Sequence, residues 1–445
     1  MIKTFVNAWK IPELRKKILF TAFIILIFRI GSIIPVPFAN IHGFGIVTSE
    51  YAGTFMEYLQ MMTGDAFNYG TIFAMSITPY INSSIIMQLL TVAIPALERL
   101  SKEGEEGRKK IATITRYLTV ALAILQSTAY YFFLRNASTT TGEKYIVSFE
   151  GVGPQVFQAL VIILCFTAGA ALIMWLGEQI NDKGIGNGIS MILFAGIVSR
   201  LPTMLTQLFS PSQGYISRGG AMIPLSIFAF VSYLLMIAYI VWMDNAERKI
   251  PVQYAKRVVG RKMYGGQSTH IPIKVNMSGV MPVIFASSIL SLPPTIQMFV
   301  KTTEGSFWDK FFNVFSSSHW GYAIMYFVLI IFFAYFYAQI QYNPVEMSNN
   351  IRKNSGAIPG IRPGRPTSDY IAKILSRITL LGALLLSVVA LFPVIFQQLT
   401  TAFAPETMYI TLGGTSIIIM VGVALETVKQ LESQMMMRHY KGFLD

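Results

Sequence analysis

The chain has 445 residues, 53% apolar and only 13% charged, and its mean hydropathy is +0.54. A water-soluble domain carries about 25% charged residues, so this composition excludes a soluble globular fold and sends the surplus apolar surface into lipid. The formal net charge of +13 fits either nucleic acid or an anionic membrane surface, and the placement of the charges decides between them.

Residues 1–17 carry Ile2, Phe5, Trp9 and Leu14 at helical spacing among Lys3, Lys10, Arg15, Lys16 and Lys17. They read as an interfacial helix on the cytoplasmic leaflet, with a disordered basic tail as the alternative. A membrane crossing needs ~20 apolar residues, and 18–34 is the first such window. It contains Arg29 and no A-x-A site follows it, so it is a retained anchor rather than a cleavable signal peptide. No Arg- and Ser-rich transit peptide precedes it, which argues against import into an organelle. Arg29 lies near the external end and reads as snorkelling, with a role in transport as the alternative. Segment 53–69 is too polar to span, through Glu57 and Asp65, and too apolar for an ordinary loop. It suits a short element tucked into a protein cavity, or else an interfacial loop.

The second span lies in 66–97, where Pro79 is followed by Asn82, Ser83, Ser84, Gln88 and Thr91. Pro79 removes a helix hydrogen bond, and this polar side suits a protein interface better than lipid. Further spans are expected at 112–134, 155–175, 188–205 and 222–243. Cys165, the single cysteine, sits in an apolar run, forms no intrachain disulfide and reads as a small buried hydrophobe. Gly184, Gly186 and Gly188 follow no strand, so they read as a tight turn rather than a nucleotide loop. In 245–274, Arg248, Lys249, Lys256, Arg257, Arg261 and Lys262 are interspersed with Val, Tyr and Met, the pattern of a projecting hairpin. The seventh span, 275–300, mixes Asn276, Ser278, Ser287, Ser288 and Ser291 with Pro293 and Pro294. Two weakly polar, Pro-broken spans suggest a seam that opens, or a plain helix–helix contact. An eighth span is expected at 321–340. Loop 342–377 carries Arg352, Lys353, Arg362 and Arg365, with Gly and Pro fixing turns around Arg362. Spans at 378–398 and 408–425 complete ten. The two basic loops suit an acidic partner surface or ribosomal RNA phosphates; enforcing topology or attracting anionic lipid is the alternative.

Ten crossings put both termini on one side, and most of the 35 lysines and arginines fall there. Only Arg135, Lys144, Arg200, Arg218, Lys301 and Lys310 lie opposite, with Arg29 inside a span. The asymmetry makes the terminal side cytoplasmic. His42, His270, His319 and His439 share no metal-ligand spacing, and no zinc-protease, Walker or nucleophile-elbow motif occurs. The reading is therefore a non-enzyme driven by a partner or a gradient. A secondary transporter of a small solute is the rival function, and a membrane-embedded enzyme a more distant one. Spans after the first are almost free of the charges that both would use.

The segments FRIGSIIPVP (28–37), ITPYINSSIIMQLLTV (77–92), EGEEGRKKIATITRY (103–117) and MWLGEQINDKGIGNGIS (174–190) resemble SecY-family motifs in order. So do 254–288, YNPVEMSNNIRKNSGAIPGIRPGRPT (342–367) and LGGTSIIIMVGVALE (412–426). The resemblance covers nearly the whole chain. It implies an all-α polytopic membrane protein of ten transmembrane helices in two pseudo-symmetric halves, 18–205 and 206–428, with a C-tail at 429–445. The halves would form a clamshell around a central hourglass pore. It implies a pore ring of Ile77, Ile81, Ile189, Leu193, Ile284 and Ile419, and a plug at about 53–69 that includes Phe55, Met56, Leu59, Met61, Met62 and Gly64. Leu193 departs from the isoleucine common in bacterial relatives and keeps the site apolar. Ile77/Ile81 and Ile189/Leu193 are i,i+4 pairs, each directed to one helix face.

The resemblance places a lateral gate at the second and third spans facing the seventh and eighth, with Asn82, Ser83, Gln88, Thr91, Ser287, Ser288 and Leu292. Asn82 stands where many relatives carry a smaller hydroxyl residue. Docking of motor or ribosome is implied for Arg248, Lys249, Lys256, Arg257, Arg261, Arg352, Lys353, Arg362 and Arg365. The implied partners are SecE, SecG, the SecA motor ATPase, the ribosome, signal sequences, nascent polypeptides and the lipid bilayer, with no cofactor. The implied location is the bacterial plasma membrane, crossed many times, with secretory chains conducted unfolded and transmembrane segments released sideways.

Overall fold

The computed structural model describes residues 2–39, 63, 66–67, 69–136, 145–147, 149, 151–209, 222–254, 257–259, 262–264, 268–290, 293, 307–315, 319–403 and 414–441. The chain opens with α1 (Ile2–Trp9) and α2 (Pro12–Gly31), then α3 (Thr78–Ala93), α4 (Pro95–Lys102), α5 (Glu105–Asn136) and α6 (Val152–Lys183). Next come α7 (Gly188–Val198), α8 (Leu201–Phe209) and α9 (Met222–Asn245). Four strands follow: β1 (Glu247–Tyr254), β2 (Arg257–Val259), β3 (Lys262–Tyr264) and β4 (Ser268–Lys274). The rest is α10 (Met281–Leu290), α11 (Phe307–Val314), α12 (Trp320–Gln341), α13 (Pro344–Lys353), β5 (Gly356–Ala357), α14 (Arg365–Phe403) and α15 (Gly414–Lys441).

The long helices are apolar on every face, as lipid-exposed helices must be. In α12, Trp320, Ile324, Val328 and Phe332 form an exposed stripe at four-residue spacing, while Tyr326, Ile330 and Phe333 are buried. Among the described residues six helices are long and apolar enough to cross a membrane, or seven if the bent pair α3–α4 counts as one. The other three expected windows overlie α2, α10 and α15. Cations at Arg15, Lys16, Lys17 and Arg29 interrupt α2, α10 has only 10 residues, and Glu426, Lys429 and Glu432 enter α15.

The second expected span differs from the pattern read in the sequence. Residues 69–77 are irregular, and the helix begins at Thr78 with Pro79 in its first turn. Pro79 thus starts a helix rather than breaking one, because an N–H is not needed there. Thr71, Phe73, Ala74, Met75, Ser76 and Ile77 are all buried. Their backbone is satisfied inside the protein: Val36 N donates to Gly70 O at 3.1 Å and Ile72 N to Ile34 O at 3.0 Å. Irregular backbone survives at membrane depth only under such cover. The cover is α6, where a Cβ on Gly169 would stand 2.0 Å from the Ile72 carbonyl oxygen. Beyond Ile94, α4 turns away from α3 by 101°.

At the chain's start, α1 is a helix docked on α15. Thr4 Oγ1 donates to Glu432 Oε1 at 3.0 Å, and Ala8, Leu14, Ile185 and Leu431 share a small core. Its Phe5, Val6 and Trp9 remain exposed.

Among the described residues the strands fall in the two basic loops, which a three-stranded sheet joins into one lobe. β1 pairs antiparallel with β4, Glu247 opposite Lys274 and Gln253 opposite Ser268. It also pairs with β5, Gln253 opposite Ala357, giving the order β4-β1-β5. Ile250, Val252, Ile273, Ile351, Ile358 and Ile371 form the core of this lobe. The hairpin expected in 245–274 is present, but the two basic loops make one body rather than two separate projections.

Replacing Gly169 by Leu drives a side chain into the Ile72 backbone, an overpacking that destabilises by about 1–3 kcal/mol. The unfolding midpoint, followed with a thiol-reactive dye at the half-buried Cys165, is expected to fall by several degrees.

Candidate functional site

The six residues expected in the pore ring come from four regions of the chain, most of them near the start of a helix. Ile77 is the N-cap of α3, preceded by Ser76 in the left-handed region (φ 46°), and Ile81 N donates to Ile77 O at 3.1 Å. Ile189 and Leu193 begin α7, just after the glycine turn. There Gly186 has φ 87° and a Cβ on Gly188 would stand 1.9 Å from the Gly177 carbonyl oxygen. Asn187 caps α7 by accepting from Ile189 N at 3.1 Å and Ser190 N at 3.4 Å. Ile284 lies in the first turn of α10, after irregular residues 275–280 that include Gly279 at φ 61°. Ile419 stands early in α15.

All six belong to the main apolar core of the bundle: Ile77, Leu193, Ile284 and Ile419 are buried in it, and Ile81 and Ile189 are half-buried against it. A cavity of about 910 Å³ opens on one side of this cluster. Leu193, Ile284 and Ile419 line its apolar part, and Asn181, Asn187, Asp244, Lys274, Glu426 and Lys429 its polar part. Branched aliphatic side chains and polar groups thus share one cavity, and its apolar part offers water and ions no hydrogen-bond partner.

The described residues of the expected gate lie on two helices, α3 and α10. α3 packs on α5, and α10 on α12, in two separate pairs. Ser83 is buried between α3 and α5: its Oγ donates to Thr115 O at 2.8 Å and accepts from Thr119 Oγ1 at 2.9 Å. It ties α3 to α5. The Thr115 carbonyl and the Thr119 hydroxyl, which sequence reasoning passed over, complete this tie, while the Thr115 hydroxyl bonds to Ile111 O within α5. Gln88 Nε2 donates to Ser84 Oγ at 3.4 Å and Thr91 Oγ1 to Met87 O at 2.7 Å, so both bond within α3, where Asn82 is half-buried. Ser287 is buried and donates to Ile284 O at 3.0 Å, and Ser288 is half-buried on the same helix. Phe285 meets Phe333 edge-on at 5.5 Å between ring centroids, fastening α10 to α12. Leu292 lies outside the described residues, as do the plug candidates Phe55, Met56, Leu59, Met61, Met62 and Gly64.

Arg248 and Lys249 on β1, Arg352 and Lys353 at the end of α13, and Arg362 and Arg365 are exposed on the strand-containing lobe. Gly360 (φ 81°) and Gly364 (φ 108°) shape the Arg362 turn, and Thr367 Oγ1 donates to Arg362 O at 2.9 Å. Ser348 Oγ anchors the same turn by donating to Gly364 O at 3.0 Å. The backbone of Arg257 lies in β2, while Lys256 and Arg261 fall outside the described residues. In the first span Arg29 is half-buried.

Ser83→Ala removes one donor and one acceptor from the α3–α5 tie and is expected to destabilise by about 1 kcal/mol. Combined with Thr119→Ala it should show a coupling of roughly 0.6 kcal/mol in a double-mutant cycle of unfolding in mixed micelles. Strict additivity would show that the hydroxyls act apart.

A family model described as SecY matches residues 71–428. A relative from Mycobacterium bovis, "Protein translocase subunit SecY", is 43% identical over 457 residues and covers 100% of both chains. One of the same description from Streptomyces coelicolor is 45% identical over 450 residues, again covering 100% of both. Among solved structures, "The structure of a protein conducting channel" shares the fold with a TM-score of 0.64 at 17% identity, covering 96% of each chain. "Sec61 in the Canine ribosome-channel complex from the endoplasmic reticulum" gives 0.60 at 16% identity and the same 96% coverage of each.

Proposed function

The chain belongs to the SecY family, and on that premise we propose that it is the pore-forming subunit of a Sec translocon. It conducts unfolded polypeptides across the membrane and releases apolar segments sideways into the bilayer. One observation carries the reading of the site: Leu193, Ile284 and Ile419, from three separate helices, line a cavity whose other wall is polar, and Ile77, Ile81 and Ile189 belong to the same apolar core. This waist forms no sequence-specific hydrogen bonds, so it fits around any extended chain and releases it. Full-length identity to translocase subunits favours this over carriage of a small solute.

Ten crossings in two halves, with both termini cytoplasmic in a bacterial plasma membrane, follow from the charge asymmetry and the family. In this reading the wall α3–α5 and the wall α10–α12 are the two sides of a lateral gate. A signal sequence opens it by exchanging helix–helix contacts for its own apolar face, and that differential contact biases the open state. The segment 53–69 is the plug. The strand-containing lobe, with Arg248, Lys249, Arg352, Lys353, Arg362 and Arg365 exposed, receives the SecA motor or the phosphates of ribosomal RNA. SecE and SecG complete the assembly.

In a Cys165→Ser background, single cysteines at positions 81, 189 and 284 test the waist against a stalled secretory chain in the assembled translocase. Each is expected to crosslink to the chain in transit, with a cysteine at the lipid-exposed Val328 silent. Active export with none of the three crosslinked would remove these residues from the path.

A further inference from the structure

Resting on the conduit reading, we propose that Asp244, Lys274, Glu426 and Lys429 form a charge-balanced collar at the funnel. The collar keeps admission of a polypeptide independent of the sign of its charge. Among the described residues these are the charged side chains lining the cavity, two acids and two bases. They come from three elements: Asp244 near the end of α9, Lys274 at the end of β4, and Glu426 and Lys429 one turn apart on α15. Asn276, another lining residue, donates from Nδ2 to Asp244 Oδ1 at 3.3 Å, which orients the carboxylate.

The balance contrasts with its surroundings. The chain carries +13 overall, and the adjoining lobe exposes Arg248, Lys249, Arg352, Lys353, Arg362 and Arg365. A funnel of the same sign would repel lysine-rich segments and retain acidic ones, because low-dielectric walls concentrate the field of like charges. Two acids and two bases sharing one cavity leave no net charge to build that field, and salt screens what remains over about 8–10 Å at ordinary ionic strength. Below the collar the apolar waist has no means of telling charges apart. Discrimination by charge, or freedom from it, is therefore settled at these four side chains. The ligand class is an extended polypeptide segment of either sign.

The test uses the complete translocase in proteoliposomes and three secretory cargoes that differ only in a neutral, lysine-rich or glutamate-rich stretch. The unaltered protein should move all three at similar rates. Asp244→Asn with Glu426→Gln leaves a cationic collar and should slow the lysine-rich cargo about tenfold, sparing the neutral one. Lys274→Gln with Lys429→Gln should slow the glutamate-rich cargo instead. Raised salt should narrow both differences, and the fourfold neutral variant should restore equal rates. Pair variants that slow every cargo alike, or none, would overturn the collar, as would a fourfold variant that still discriminates. Failure of the unaltered protein to move even the neutral cargo would instead defeat the conduit reading on which the collar stands.

Discussion

A backbone surrounded by lipid has no water to bond with, so it leaves the helical state only where protein covers it. Three irregular segments bear on this constraint, the first covered by protein and the other two partly lining the polar cavity, and a residue expected in the pore ring stands within or soon after each. Residues 69–77 are covered by α6 and deliver Ile77. The turn through Gly184, Gly186 and Gly188, pressed against Gly177, delivers Ile189. Residues 275–280, with Asn276, Met277 and Ser278 buried, deliver Ile284. Each break starts a helix partway through the bundle, and its first turn points an isoleucine at the same cluster. The waist is thus a product of broken helices, not of a patterned stripe along continuous ones.

Such a waist is apolar by composition and built on rigid starts. Asn187 caps α7, and Gly169 and Gly188 permit approaches that a Cβ would forbid. Around it the bundle is organised as pairs. Buried hydroxyls join α3 to α5, and aromatic edges join α10 to α12. In the proposed function, separation of these two pairs would expose apolar surface to lipid, where exposure is cheap, and would leave the buried hydroxyl bonds intact.

Much of this was legible in the sequence because lipid imposes composition: charge-free windows, cationic loops and i,i+4 isoleucine pairs survive without tertiary knowledge. Pro79 was legible as a disruption but not as a helix start, since the choice depends on burial of 69–77. The direction of Ser83 was not legible either. It is set by the rotation of α3 against α5, which no periodicity in a nearly all-apolar segment encodes. Pairing of β1 with β5 joins residues about a hundred positions apart in the chain, beyond any local signal. Asp244, Lys274, Glu426 and Lys429 were visible only as loop charges; that they share a cavity is a property of the fold.

Ion conductance across a planar bilayer tests the central claim most directly, comparing the unaltered assembly with a variant carrying Ile81→Asn, Ile189→Asn and Ile284→Asn together. The account predicts that the resting assembly stays sealed and that the variant, with its waist hydrated, leaks small ions while still folded. A correctly assembled variant as tight as the original would contradict it.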